Sequence, residues 1–194
     1  MTEDDWTSQR KQTIYEESKR VMQGQKADID DMDDKALRKV RLNAAILAIG
    51  ATGLEISGIG EVNFLLAGFS IVFLVSSAIF GVIVYNESNI LVGPKSSFLG
   101  KMRTQKSDDG WEKGLLEEME KWITNNQTRV ELNGALLTIC QSFLVLGVLT
   151  GVPAILGASS ESFQQQDVQI IIGATVILYA LLIGYLRSSF EIPD

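Results

Sequence analysis

Charge vanishes from this chain in three long runs. Residues 62–85 (VNFLLAGFSIVFLVSSAIFGVIVY) hold no charged side chain over 24 positions, residues 132–157 none over 26 and residues 168–186 none over 19. Crossing a hydrocarbon core of roughly 30 Å takes about 20 helical residues. A soluble core helix of that length shows a polar face, and these runs are apolar all round. Each predicts a transmembrane helix. A fourth stretch, residues 42–60 (LNAAILAIGATGLEISGIG), is glycine-rich and interrupted by Glu55. Its opening returns ninety residues later, where KVRLNAAIL at 39–47 is echoed by RVELNGALL at 129–137. That offset pairs Val40 with Val130, Leu42 with Leu132, Asn43 with Asn133 and Leu47 with Leu137. Because 132–157 is apolar enough to span by itself, 42–60 is expected to span as its counterpart.

The expected fold is all-α: a polytopic membrane protein with four transmembrane helices, arranged as two helical hairpins in a parallel repeat, plus cytoplasmic amphipathic helices. A charged segment covers residues 1–34, and a first membrane hairpin covers 35–85 with spans at about 42–60 and 62–85. A cytoplasmic loop follows at 86–131, and a second hairpin with a short tail covers 132–194, its spans at about 132–157 and 168–186. On this reading a juxtamembrane helix runs unbroken into a span twice.

Charge sets the orientation. Of the 17 Lys and Arg residues, nine lie in 1–41, seven in 86–131 and one, Arg187, after the last span. The hairpin tips at 55–61 and 158–167 hold none. Short loops rich in Lys and Arg stay on the cytoplasmic side. Both termini and the central loop are therefore expected inside the cell membrane of a multi-pass protein. The first forty residues lack an apolar h-region, so no signal peptide is expected.

Two cytoplasmic stretches carry further signals. Gly24 to Lys26 reads as a helix break, after which DIDDMDDK places five aspartates between Asp28 and Asp34. A calcium loop starting at Asp28 would need glycine sixth and glutamate twelfth. Those positions hold Asp33 and Lys39. The aspartates instead suit a helix N-terminus, where they cap free N–H groups and meet the positive end of the dipole. Lys35, Arg38, Lys39 and Arg41 follow as a collar for anionic lipid headgroups. In the loop, Leu115, Leu116, Met119, Trp122 and Ile123 give helical spacing over about 110–124. Its polar face is acidic, which favours packing on the N-terminal segment or a second subunit over lying on an anionic leaflet.

Inside the spans, polar residues are few. Asn43 and Asn133 are matched by the repeat and would hydrogen-bond across a shared interface. Gln141 reads as another interhelical contact. Glu55 is the one ionisable residue within a proposed span, by default a proton or cation site. However, it lies near the outer end, and Val145 stands opposite it in the repeat. Gly147 and Gly151 form a GxxxG, a spacing that lets helix backbones approach closely.

The acidic run, DDKALRKVRLNAAIL, ILVGPKSSFLGKMR and a Trp-bearing helix before the second hairpin together resemble a group of uncharacterised four-span membrane proteins of halophilic archaea. That resemblance implies a prokaryotic source and no particular activity; the net charge of −7 agrees with a high-salt cytoplasm. The paired two-span layout is also distantly similar to SLATT-type membrane effector domains. No catalytic chemistry is written in the chain. It has no histidine, its single cysteine, Cys140, lies in an apolar run, and it carries no phosphate-cradling glycine loop. We expect no enzyme, no cofactor, no metal and no nucleic-acid partner. Two function classes stay open. One is a structural or interaction protein working through its cytoplasmic helices or self-association, with the lipid bilayer, a second copy or another protein as partner. The other is a small channel, transporter or membrane-perturbing effector, which requires a polar pore stripe.

Overall fold

The computed structural model describes residues 3–57, 62–87 and 110–156, with single residues between 90 and 100 and between 169 and 184. Among the described residues the chain is all-helical, with three long helices: α1 over Glu3–Ser57, α2 over Phe64–Asn86 and α3 over Gly110–Leu156. Two helices are long and apolar enough to cross a membrane, α2 and the Glu112–Ile155 stretch of α3, with mean hydropathies of 2.4 and 2.0. The proposed span at 42–60 forms the last part of α1 as far as Ser57, and the tips at 58–61 and 158–167 lie outside the described residues. Most of 168–186 lies outside them too, although its described residues (169, 170, 173, 176, 177, 179, 180 and 184) are helical.

Two sequence expectations change. Gly24 to Lys26 is not a break and the aspartates do not start a helix, because α1 runs through both without interruption. Glycine in a helix costs about 1 kcal/mol relative to alanine. Here Met22 and Gln25, on either side of Gly24, are both buried, and tertiary packing of a helix face outweighs that penalty. Asp28, Asp30, Asp31 and Asp34 stay exposed, while Ile29 and Ala36 turn inward. The amphipathic segment at 110–124 is likewise not a separate loop helix: it is the first part of α3.

The burial pattern has a period of seven. On α1 the buried residues Met22, Ile29, Ala36 and Asn43 are spaced by seven, as are Met119, Asn126, Asn133, Cys140, Gly147 and Ala154 on α3. A seven-residue repeat of buried positions is the geometry of helices packed at a shallow angle as in a coiled coil.

The chain divides into two compact units, one of Met1–Asp33 with Glu87–Asn133 and one of Asp34–Asn86 with Gly134–Asp194. In the first, α1 and α3 run parallel. Lys11 pairs with Glu112, and Gln25 meets Ile123 and Gln127. Met22, Met119 and Trp122 form its apolar centre, with Leu115 and Ile123 packed around them.

In the second unit α1 and α3 are again parallel, Lys39 meeting Gln141 and Gly53 facing the Ile155 side chain, where an added Cβ would come within 3.7 Å of it. Helix α2 runs antiparallel to both, because its contacts descend: Ser70 meets Gly147, Ser77 meets Cys140, and Asn43 meets Ser77. Asn63 starts α2 as an N-cap, its Oδ1 accepting from the Leu66 N–H at 3.2 Å. A ladder of rings joins α2 to α3, with Phe80 stacked on Phe143 at 5.6 Å and Phe143 also 6.3 Å from Tyr179.

The helices do not pair in the register of the repeat. Lys39 to Gln141 is a separation of 102 residues, and so is Gly53 to Ile155 (155 − 53). An offset of 90 would set Lys39 level with Arg129, two like charges, whereas an offset of 102 gives it a neutral acceptor.

Candidate functional site

The most organised polar feature of the second unit is a layer in which α1, α2 and α3 meet. Ser77 lies at its centre, fully buried. Its hydroxyl donates to the Cys140 carbonyl at 2.7 Å, lies 3.6 Å from the Cys140 Sγ, and accepts from Asn43 Nδ2 at 2.9 Å. Four residues before Asn43 on α1, Lys39 Nζ donates to Gln141 Oε1 at 3.0 Å. Two turns further from Ser77 on α2, the Ser70 hydroxyl donates to the Gly147 carbonyl at 2.7 Å. Serine hydroxyls that bond a neighbouring helix's carbonyls staple the backbones, and small residues make the approach possible. A Cβ added at Gly147 would come 2.7 Å from Leu74 Cγ and Cδ2, one at Gly151 2.5 Å from Ser70 Oγ, and one at Gly81 2.7 Å from Val40 Cγ2. The glycines are therefore what lets α2 seat on its neighbours.

The expected collar divides. Lys35, Arg38 and Arg41 are exposed, while Lys39 is half-buried and turned toward Gln141. Burial holds the Lys39 ammonium below the usual lysine value; nearby Cys140 opposes this shift and Lys35 reinforces it. None of the described ion pairs includes Lys39.

Asn43 and Asn133 fall in different units. Asn43 gives its amide hydrogen to Ser77 and its Oδ1 is buried without a partner, while both polar atoms of Asn133 are buried without a hydrogen-bond partner among the described residues. Glu55 is exposed near the C-terminal end of α1. Among the described residues no group of three or more His, Cys, Asp or Glu is placed to hold a metal ion.

Sequence reasoning missed Gln25, Asn126 and Ser70 as core polar groups. In the first unit, buried Gln25 donates to the Ile123 carbonyl at 3.0 Å, and Asn126 is 1 % exposed. The period of seven finds two of them, since Asn126 falls on it with Met119, Asn133 and Cys140, and Ser70 lies seven residues before Ser77; Gln25 is off the α1 series.

Apolar side chains cover the outside of the second unit. Phe64 is 66 % exposed, Val72 59 %, Ile79 54 % and Val152 49 %. Beside them an open groove of about 350 Å³ runs between α1 and the α2–α3 pair. Ile46, Gly50, Ala67, Leu74 and Val148 are among the residues that line it.

Comparisons with protein-family models, with curated proteins and with solved structures found no match for the chain.

Proposed function

We propose that this chain is a multi-pass protein of the cell membrane, with both termini cytoplasmic, that acts as a structural or interaction protein through its cytoplasmic helices or by self-association, and not as an enzyme. The observation that carries this reading is the inverted distribution in the second unit. Asn43, Ser70, Ser77 and Thr150 are buried, while Phe64, Val72, Ile79 and Val152 face outward. A protein in water would reverse that arrangement; hydrocarbon favours it, because it satisfies backbone and hydroxyl groups internally and leaves the aliphatic surface to lipid. The first unit supports the interaction role. Its helices carry the charge, and Ile14, Tyr15 and Val21 lie between 42 and 46 % exposed on α1.

The parallel direction of α1 and α3 in the second unit agrees with two hairpins of like orientation, and the segment 168–186 supplies the fourth span. A conducting role would need a continuous polar stripe. The Ser70 and Ser77 hydroxyls instead bond carbonyls of α3, and Thr150 bonds its own helix, which favours stapling and internal satisfaction over lining a pore. The test has two arms. A cysteine placed at Ser107 in a Cys140→Ser background should resist membrane-impermeant maleimide in sealed cells, and labelling from outside would overturn the topology. Cross-linking in native membranes should trap a second copy or a discrete protein through residues 9–33 or 112–130; a chain that stays monomeric and uncoupled there would overturn the interaction role.

A further inference from the structure

The apolar groove of the second unit and Lys39 at its end, a cation outside the described ion pairs, belong to one feature. Ile46 and Val148 line the groove from α1 and α3. Lys39 and Gln141, bonded to each other at 3.0 Å, lie seven residues before them on the same two helices. Seven residues are two helical turns, so the ammonium sits on the same face as the groove and about 10.5 Å to its cytoplasmic side. That is the spacing between a headgroup and the upper part of its acyl chain. The groove wall is almost wholly aliphatic, and its size falls at the lower end of the range for small-molecule sites.

Of the three glycines that line it, Gly50 differs from the two that also form helix contacts. A Cβ at Gly147 or Gly151 would collide with α2, whereas a Cβ at Gly50 would meet nothing within 4 Å. Gly50 thus faces open space on the groove wall and is not needed for close packing. Lys39, for its part, is a half-buried cation whose described partner is a neutral amide, an arrangement that an anion would complete. Tyr179 lies against Phe143, and Phe143 is not part of the groove lining.

We propose that this groove binds one acyl chain of an anionic phospholipid, whose phosphate is held by Lys39 at the cytoplasmic end. The proposal rests on the membrane reading above, and its test separates the two. The full chain is reconstituted into vesicles of equal parts phosphatidylglycerol and phosphatidylcholine, re-extracted in mild detergent, and its co-purifying lipid measured by mass spectrometry. The wild-type chain should retain phosphatidylglycerol in preference to phosphatidylcholine. Gly50→Leu should lower retained lipid about tenfold, the change that 1.4 kcal/mol makes in a binding constant. Lys39→Gln should keep an acyl chain but lose the preference for the anionic lipid, and Lys39→Arg should restore it.

Ala51→Leu, on the same wall, replaces Gly50→Leu if that variant loses helicity. Unchanged lipid retention in a folded groove variant, or an unchanged lipid preference in Lys39→Gln, overturns the site. A chain that never partitions into the vesicles overturns the membrane reading instead. A groove wall that cross-links at position 51 to a second copy or to the chain's own 168–186 segment, with no lipid retained, would mean that one of those occupies the groove, which also overturns the proposal.

Discussion

Replacing Asn133 by valine should make the protein more stable. The amide is 1 % exposed, and neither its Nδ2 nor its Oδ1 has a hydrogen-bond partner among the described residues. An unpaired amide in a core costs about 1–3 kcal/mol by mutational measures. Position 133 belongs to the buried seven-residue series of α3, in a unit where α1 and α3 run parallel, and parallel pairs accept β-branched residues at such positions. Valine therefore removes the desolvation cost while still filling the site. The gain should approach 1–3 kcal/mol, or about 2–4 °C in Tm for each kcal/mol in a chain of this size.

Asn43→Val serves as the comparison. It loses the 2.9 Å bond to Ser77, a type of contact averaging about 0.6 kcal/mol in membranes, and it also relieves a buried Oδ1, so its effect should stay within about 1 kcal/mol. The two substitutions share no described partner, so they should add to within about 0.5 kcal/mol. The assay is thermal unfolding in detergent micelles followed by far-ultraviolet circular dichroism. A destabilised Asn133→Val would show that the amide is bonded. Coupling well above 0.5 kcal/mol would show that the two amides bridge the repeat after all.

Glycines offer opposite outcomes on the two units. Gly147→Ala places a methyl 2.7 Å from Leu74 and should destabilise by about 1–3 kcal/mol, whereas Gly24→Ala meets nothing within 4 Å and should stabilise by about 0.8–1.0 kcal/mol; no gain at Gly24 would mean that α1 breaks there. Because burial holds the folded-state pKa of Lys39 below the ordinary lysine value of 10.5, the unfolded chain binds more protons in the window between the two. Stability from this group is thus reduced at lower pH and recovered as pH rises toward 10.5, and Lys39→Met should flatten that slope; a steeper slope in the variant would refute the desolvated lysine. Bilayers of shorter acyl chains should stabilise the protein over longer ones by fractions of a kcal/mol per Å of mismatch, as read by unfolding in bicelles of graded chain length, and a preference for the thicker bilayer would refute it.

How much was legible depends on which residues carry the signal. Helix α2 was plain, predicted at 62–85 and observed at Phe64–Asn86, because its composition leaves no other reading and Asn63 supplies an N-cap. The passage of juxtamembrane helix into apolar helix on α1 and α3 was legible too, from the repeated KVRLN and RVELN entries. The core itself was not. Its series on α3 reads Met119, Asn126, Asn133, Cys140, Gly147, Ala154, mostly small or polar residues, while the outward positions between them are as apolar as anything inside. A hydrophobic period cannot emerge when lipid and core both favour aliphatic side chains. Gly24 and the aspartates misled for a related reason: local propensity marks them as breaks, but Met22, Gln25, Ile29 and Ala36 keep one buried face continuous across them. The pairing register was hidden as well, since the similarity of KVRLNAAIL to RVELNGALL says nothing of the level at which two helices touch.

On the membrane reading proposed above, that register bears on how the second unit would meet a bilayer. Lys39 lies level with Gln141, and a Cβ at Gly81 of α2 would approach Val40 and the Ala36 carbonyl of α1. The charged end of α1 in this unit, through Arg41, is therefore level with the 140–141 region of α3 and with Gly81. Above it α1 offers 16 residues from Leu42 to Ser57, roughly 24 Å of helix, and α2 offers 17 from Phe64 to Phe80, roughly 25 Å. The α1 stretch falls short of a hydrocarbon core of roughly 30 Å, whereas α2, whose full 23 residues from Phe64 to Asn86 are long enough to cross it, carries its last six residues beyond this level. The shortfall lies at the level of the collar. There Lys35, Arg38 and Arg41 are exposed on flexible stems that extend toward the headgroups while their methylenes cover apolar surface. Lys39 does not follow them: it points inward, to Gln141. A collar that only set topology would turn all four cations outward. The half-buried lysine, beside an aliphatic groove and outside the described ion pairs, distinguishes the KVRLN stretch from the RVELN stretch, where Arg129 takes its place and is exposed. Of the two similar stretches, only the first turns a half-buried cation toward a neighbouring helix.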